Sequence, residues 1–221
     1  FGMLGGRYLD DRIRRYYRAA PERQDMSLHV CLGVARDLNA EPHAITMLLP
    51  EPLKIGGSRR ERLDLEIFSS KMGVAPEGKG VIKVPLDARY EHWQTLLDEN
   101  GRRGARYREA KQAVAEQVIA LVEGRFPGIR QQIEVIDVST PLTIERYVGS
   151  YHGYQAWGLP GGNPLSMFRG VSKTVPGLAG FHMVGQWAGG TIGISTVTLM
   201  ARALVQSLCR EASRRFMTQR A

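Results

Sequence analysis

Apolar and polar residues alternate in several short stretches of this chain, and the period then changes to that of a helix. Residues 26–36 (MSLHVCLGVAR) alternate loosely and read as a strand. Residues 44–49 read as a second strand, and the proline-bearing stretch 50–57 as a loop. In residues 63–70 the alternation is stricter: Leu63, Leu65 and Ile67 share one face, and Asp64, Glu66 and Phe68 share the other. That is the pattern of a half-buried strand. The turn Ala75-Pro76-Glu77-Gly78-Lys79-Gly80 separates it from another extended run, residues 81–86 (VIKVPL), so the two are expected to pair antiparallel. From 105 to 123, Tyr107, Ala110, Val114, Val118, Leu121 and Val122 recur at three- and four-residue intervals, which predicts a helix. Gly124 should end it, with Pro127 just beyond.

Residues 133–138 (IEVIDV) read as a further strand, and Ser139-Thr140-Pro141 as a helix start. Thr140 is the expected N-cap and Pro141 the first helical residue, in a short helix ending near Gly149. Residues 7–18 have the spacing of an exposed helix that stops near Pro21. Residues 150–177 are rich in glycine, proline and aromatics with little periodicity, which in a compact protein marks a functional or covering segment. Residues 181–184 form an apolar run suited to a buried strand, and a final helix is expected from about 191 to about 216. The fold class is therefore α/β. Residues 1–140 form an α+β portion with a strand-rich sheet, and residues 141–221 form a second portion.

Composition is that of a soluble globular chain: 221 residues, 43% hydrophobic and 24% charged. The net charge of +8 gathers at residues 12–18, 59–62, 102–108 and 210–220. Most of these arginines have acidic neighbours, so they read as solvated faces. Attraction to an anionic membrane surface is a second reading of the same charge. No interleaving of aromatics and basics marks a nucleic-acid strand, so no nucleic-acid partner is expected. Cys31 and Cys209 stand far apart in apolar surroundings and read as core thiols, and His29, His43, His92, His152 and His182 are scattered. No metal site is expected. A cytoplasmic setting fits, peripheral to a membrane if the charge is used that way. The uncharged stretch 189–201 is too short to span a bilayer.

The strongest constellation is GQWAGGTIG, residues 185–193, between the apolar run and the last helix. Glycines there let a ligand approach the backbone, and the first turn of a helix offers unpaired N–H groups and a favourable dipole. A tight strand-to-helix turn explains the same spacing without a ligand. Neither the dinucleotide fingerprint nor a phosphate loop is present. Gly193-Ile194-Ser195 resembles the start of a nucleophile elbow, but Val197 replaces the second glycine, so Ser195 reads as a helix-face hydroxyl. Glu145-Arg146 reads as a local ion pair. Tyr151, Tyr154 and Trp157 either wall an apolar channel or pack the loop.

Residues 136–160 (IDVSTPLTIERYVGSYHGYQAWGLP) followed by 176–205 (PGLAGFHMVGQWAGGTIGISTVTLMARALV) resemble the C-terminal portion of phytoene desaturases and carotenoid isomerases, members of the flavin amine-oxidase superfamily. The V-A-P-E-G-K stretch at 74–79 is similar to a turn of that family's substrate domain. The resemblance implies a substrate-domain part, then the last strand and helix of an FAD-binding Rossmann-like domain. It implies that Gly185, Gln186, Gly189, Gly190, Thr191 and Ile192 line FAD and that the substrate is an apolar polyene or isoprenoid; Tyr154 and Trp157 are the candidate residues to face it. Gln186 stands where many members carry an acid, and Ala188-Gly189-Gly190 replaces a Gly-Gly-Gly or Pro-Gly-Gly. The family's N-terminal ADP-binding motif does not occur here. The expectation is a C-terminal fragment of an FAD-dependent oxidoreductase, inactive alone and partnered by the N-terminal remainder of its polypeptide. The alternatives are a non-catalytic binding module that lost its ADP-binding half, and a basic nucleic-acid binder.

Overall fold

The computed structural model describes residues 5, 7–8, 11, 26–55, 57–153, 174–175, 177–186 and 193–218. Residues 25–154 form one compact unit, and residues 1–24 with 155–221 form another. The fold is mixed α/β. The first unit holds five strands: β1 (Met26–Val34), β2 (Ala44–Ile55), β3 (Ser58–Ser69), β4 (Gly80–Ala88) and β5 (Ile133–Ser139). All pairings are antiparallel, in the order β2-β3-β4-β1-β5. Its helices are α1 (Tyr90–Gln94), α2 (Ala105–Arg125) and α3 (Pro141–Val148), with 3-10 turns at Ser70–Met72, Ile129–Gln132 and Tyr151–Gly153.

Strict alternation gives the sheet two unlike faces. Leu28, Val30 and Leu32 of β1, Leu63, Leu65 and Ile67 of β3, and Ile82, Val84 and Leu86 of β4 are buried. Tyr107, Val114, Val118, Ile119 and Val122 of α2 join them in one core with Trp93 and Phe126. Burying each such aliphatic side chain is worth about 1.5–3 kcal/mol, so this face dominates the unit's stability. At Gly80 an added Cβ would lie 2.7 Å from the Leu38 side chain, so a side chain there would displace a core residue.

Several expectations need correction. The loop expected at 50–57 is strand almost throughout: β2 runs to Ile55. Between the pairs Leu48↔Arg62 and Leu53↔Arg60, residues 49–52 stand opposite Glu61 alone. Pro50 and Pro52 are tolerated because β2 is an edge strand and this insertion leaves the ladder. Helix α2 passes Gly124 and is capped at Phe126, whose N–H donates to the Val122 carbonyl. Helix α3 is as expected. Thr140 and Thr143 form a reciprocal capping box, Pro141 opens the helix, and Gly149 ends it in the left-handed region. It lies in the unit of the sheet. The exposed helix expected at 7–18 lies almost wholly outside the described residues.

In the second unit the buried strand expected at 181–184 does not form. Only a single bridge joins Thr174 and His182, and Phe181 and Val184 are exposed. A buried strand needs a continuous ladder with its neighbours, and among the described residues that one bridge is all that is supplied. The last helix, α4, spans Ile194–Glu211 rather than 191–216. Gly193 at φ 114° is not helical, and Ser213 at φ 52° turns the chain after the C-cap.

Candidate functional site

Gly185 adopts φ 119° and Gly193 φ 114°, a backbone that side-chain-bearing residues rarely take. Gly193 is the N-cap of α4, and no side chain caps it. No acid stands in the first turn. The Gly193 carbonyl accepts from Val197 N–H at 3.1 Å, and Thr198 Oγ1 donates to the Ile194 carbonyl at 2.8 Å. Among the described residues, no side chain caps the N–H groups at the positive dipole end of this 18-residue helix. Gly185 and Gln186 are half-buried. Gly189, Gly190, Thr191, Ile192, Tyr154 and Trp157 lie outside the described residues. Ser195 is an exposed hydroxyl in the first turn of α4.

The second feature is the sheet face turned away from α2, which no motif announced. Register places Asp137, Cys31, Lys83 and Glu66 in one row across β5, β1, β4 and β3. Lys83 Nζ donates to Glu66 Oε2 at 2.8 Å, with both side chains half-buried. The adjacent row is apolar: Val135, Gly33, Val81 and Phe68. At Gly33 the strands approach closely, since a Cβ would sit 3.2 Å from the Val135 Cβ. On the other side of the polar row stands His29. Burial pulls its pKa down, Lys83 pulls it further, and Glu66 opposes them. Burial pushes the Cys31 thiol up, helped by Asp137 and Glu66 against Lys83. The face therefore offers a neutral imidazole and a protonated thiol beside an ion pair, set against an apolar row.

Cys31 is accordingly not a core thiol, and a raised pKa makes it a poor nucleophile. Cys209 is likewise only half-buried. His182 is half-buried, and its Nδ1 has no hydrogen-bond partner among the described residues. Among the described residues no group of three or more histidine, cysteine or acidic side chains is placed to hold a metal ion.

The third feature joins α1, α3 and the Tyr151–Gly153 turn. Tyr90 Oη donates to Glu145 Oε2 at 2.8 Å, and the His152 N–H donates to Glu145 Oε1 at 3.1 Å. Glu145 therefore serves these two groups rather than Arg146, which lies over the Tyr147 ring instead. The His152 ring is stacked between Tyr90 at 4.1 Å and Tyr151 at 3.9 Å. Burial and the Glu145 bond push the Tyr90 pKa up to about 12. His152 (φ 52°) and Gly153 (φ 70°) are both left-handed, and a Cβ on Gly153 would strike the Pro141 carbonyl. A non-glycine residue is held in that region only where its surroundings over-determine it, as the two rings and Glu145 do.

Comparison with known proteins gives distant, partial similarity. The chain is 28% identical over 114 residues to the chloroplastic prolycopene isomerase of Daucus carota, covering 51% of this chain and 17% of that protein. It is 28% identical over 89 residues to the all-trans-retinol 13,14-reductase of Danio rerio, covering 38% of this chain and 15% of that one. A chloroplastic prolycopene isomerase of an Oncidium hybrid matches over 81 residues, also at 28%. The chain thus spans about a sixth of the length of the curated relatives it matches. No family model matches it.

Proposed function

We propose that this chain is the C-terminal portion of an FAD-dependent oxidoreductase of the flavin amine-oxidase superfamily, acting on a polyene or isoprenoid by desaturation, reduction or isomerisation. The observation that carries this reading is the similarity, over half of the chain, to an isomerase and, over a shorter stretch, to a reductase whose named substrates are prolycopene and retinol. The residues fit the cofactor where they are described. An uncapped helix start, reached through glycines and free of acid in its first turn, suits an electron-rich ring or phosphate. When bound, FAD supplies hydride chemistry, so no dedicated protein nucleophile is needed.

The chain's own residues then bind, orient and exclude water. Gly185, Gln186, Gly189, Gly190, Thr191 and Ile192 line the cofactor; Tyr154 and Trp157 meet the apolar substrate. Within the sheet unit, the row Val135, Gly33, Val81 and Phe68 offers an apolar surface beside the Lys83–Glu66 ion pair, suited to the same class of substrate. Helix α4 has no buried residue among those described, with Ile194 89% and Leu199 65% exposed, and a helix this apolar needs cover. The N-terminal remainder of the polypeptide is the proposed cover and brings the ADP-binding half. No described helix is long and apolar enough to cross a membrane, and an apolar substrate favours peripheral contact with one.

The test is the polypeptide encoded upstream of Phe1. A strand followed by G-x-G-x-x-G is expected there, and the full-length protein should purify yellow with FAD near one per chain. A colourless full-length protein that takes up no FAD would sink the proposal.

A further inference from the structure

The chain reaches the end of the sheet unit through a segment fixed more tightly than a surface turn requires. His152 (φ 52°) and Gly153 (φ 70°) are left-handed in succession, and Gly149 (φ 68°) is left-handed before them. A side-chain-bearing residue is disfavoured in that region, and such outliers cluster at functional sites. One residue, Glu145, governs the whole stretch. Its carbonyl accepts from the Gly149 N–H at 2.9 Å and ends α3. Its Oε1 accepts from the His152 N–H at 3.1 Å, and its Oε2 from Tyr90 Oη at 2.8 Å. The Tyr90 ring belongs to the buried core, so the carboxylate ties the backbone of the turn to that core. Helix α3 is itself a firm platform. Its N-cap Thr140 is buried and meets the Tyr107 hydroxyl at 2.5 Å, and Arg103 donates to the Leu142 carbonyl at 2.6 Å.

We propose that Glu145 is a positioning residue. By holding the His152 N–H against a phenol anchored in the core, it sets the point and direction from which the chain continues past Gly153, and so places Tyr154 against the apolar substrate, a role that rests on the function proposed above. Tyr154 is bonded to Gly153 and is the last residue of the sheet unit. Closure of α3 needs only the left-handed glycine and its N–H. Tyr90 needs only one acceptor. Joining both to His152 through one carboxylate adds no apolar contact to the core, but it removes freedom from the residues just before Tyr154. A contact residue already held in place loses less freedom when a ligand binds, so affinity rises without any new contact.

The test uses the full-length protein, with prolycopene and all-trans-retinol each supplied as the polyene. Glu145→Ala should raise KM by about tenfold while kcat stays within about twofold and FAD content is unchanged, the pattern of lost ground-state binding. Amides of residues 151–154 should exchange with deuterium about tenfold faster, with those of α2 unaffected. Glu145→Gln should resemble the parent in both measurements, because its oxygen can accept from the His152 N–H while its amide donates to Tyr90 Oη. Should the alanine variant fail to fold, Glu145→Asp is one methylene too short to serve both partners and should show the same two changes. An unchanged KM in the folded alanine or aspartate variant overturns the proposal. So does unchanged exchange at 151–154, or a glutamine variant as impaired as the alanine one. A full-length protein that lacks FAD and turns over neither polyene removes the proposed function, and the substrate role of Tyr154 with it, while amide exchange still decides whether Glu145 holds the turn.

Discussion

Gly153 shows how one residue carries a constraint from two directions. Its φ of 70° and the Pro141 carbonyl behind its missing Cβ both exclude a side chain. Gly153→Ala should destabilise the sheet unit by about 1–3 kcal/mol, read from the shift in urea midpoint. Tyr90 gives a pH signature. Its folded-state pKa of about 12 lies above the unfolded value of about 10, so its contribution is complete below pH ~10 and is lost as pH rises through 12. Tyr90→Phe should therefore flatten the alkaline decline of the thermal midpoint, measured against the parent chain. The cost at neutral pH should be about 1–2 kcal/mol, because Glu145 loses a donor. Little of this cluster was legible in the sequence. Tyr90 and Glu145 lie 55 positions apart, and Glu145 beside Arg146 read as a surface pair. Only the fold could show that the carboxylate turns inward to a phenol and a backbone N–H.

At the scale of elements, local signals were the legible ones. Alternation assigned the faces of β3 because a strand repeats every two residues whatever its neighbours do. Thr140-Pro141 announced α3 because a cap is satisfied within one turn. Thr140 also lies 2.5 Å from the Tyr107 hydroxyl, deep in the core. Thr140→Ala should therefore cost more than an ordinary cap, roughly 2–3 kcal/mol by chemical denaturation, with Thr140→Ser recovering most of it. The length of β2 was not legible, since two prolines read as a break and only an edge position excuses them. The strand expected at 181–184 failed for the opposite reason: composition favoured it, but pairing partners decide whether a strand exists. That a helix follows the glycine cluster was legible, although its start at Ile194 was not, because the φ of Gly193 is a tertiary outcome.

For the whole molecule, the two faces of the sheet divide stability from the proposed chemistry. Lys83 and Glu66 belong to the half-buried face, where screening keeps such a pair weak. Lys83→Met should change unfolding free energy by no more than about 1 kcal/mol. On the proposed function, the same substitution in the full-length protein should lower turnover of a polyene while flavin content stays constant. A variant with unaltered turnover would remove Lys83 from the substrate wall.

The strand order has a further consequence, in time rather than in energy. β1 lies between β4 and β5, and its pairing of His29 with Ser139 closes a span of 110 positions. During synthesis the strands up to β4 emerge before α2, so Leu28, Leu65 and Ile82 have no helix to cover them. Until residue 125 clears the ribosome, the nascent polypeptide presents an uncovered aliphatic surface. Holdase chaperones would be expected to engage it in that interval, and to release it once the helix is made.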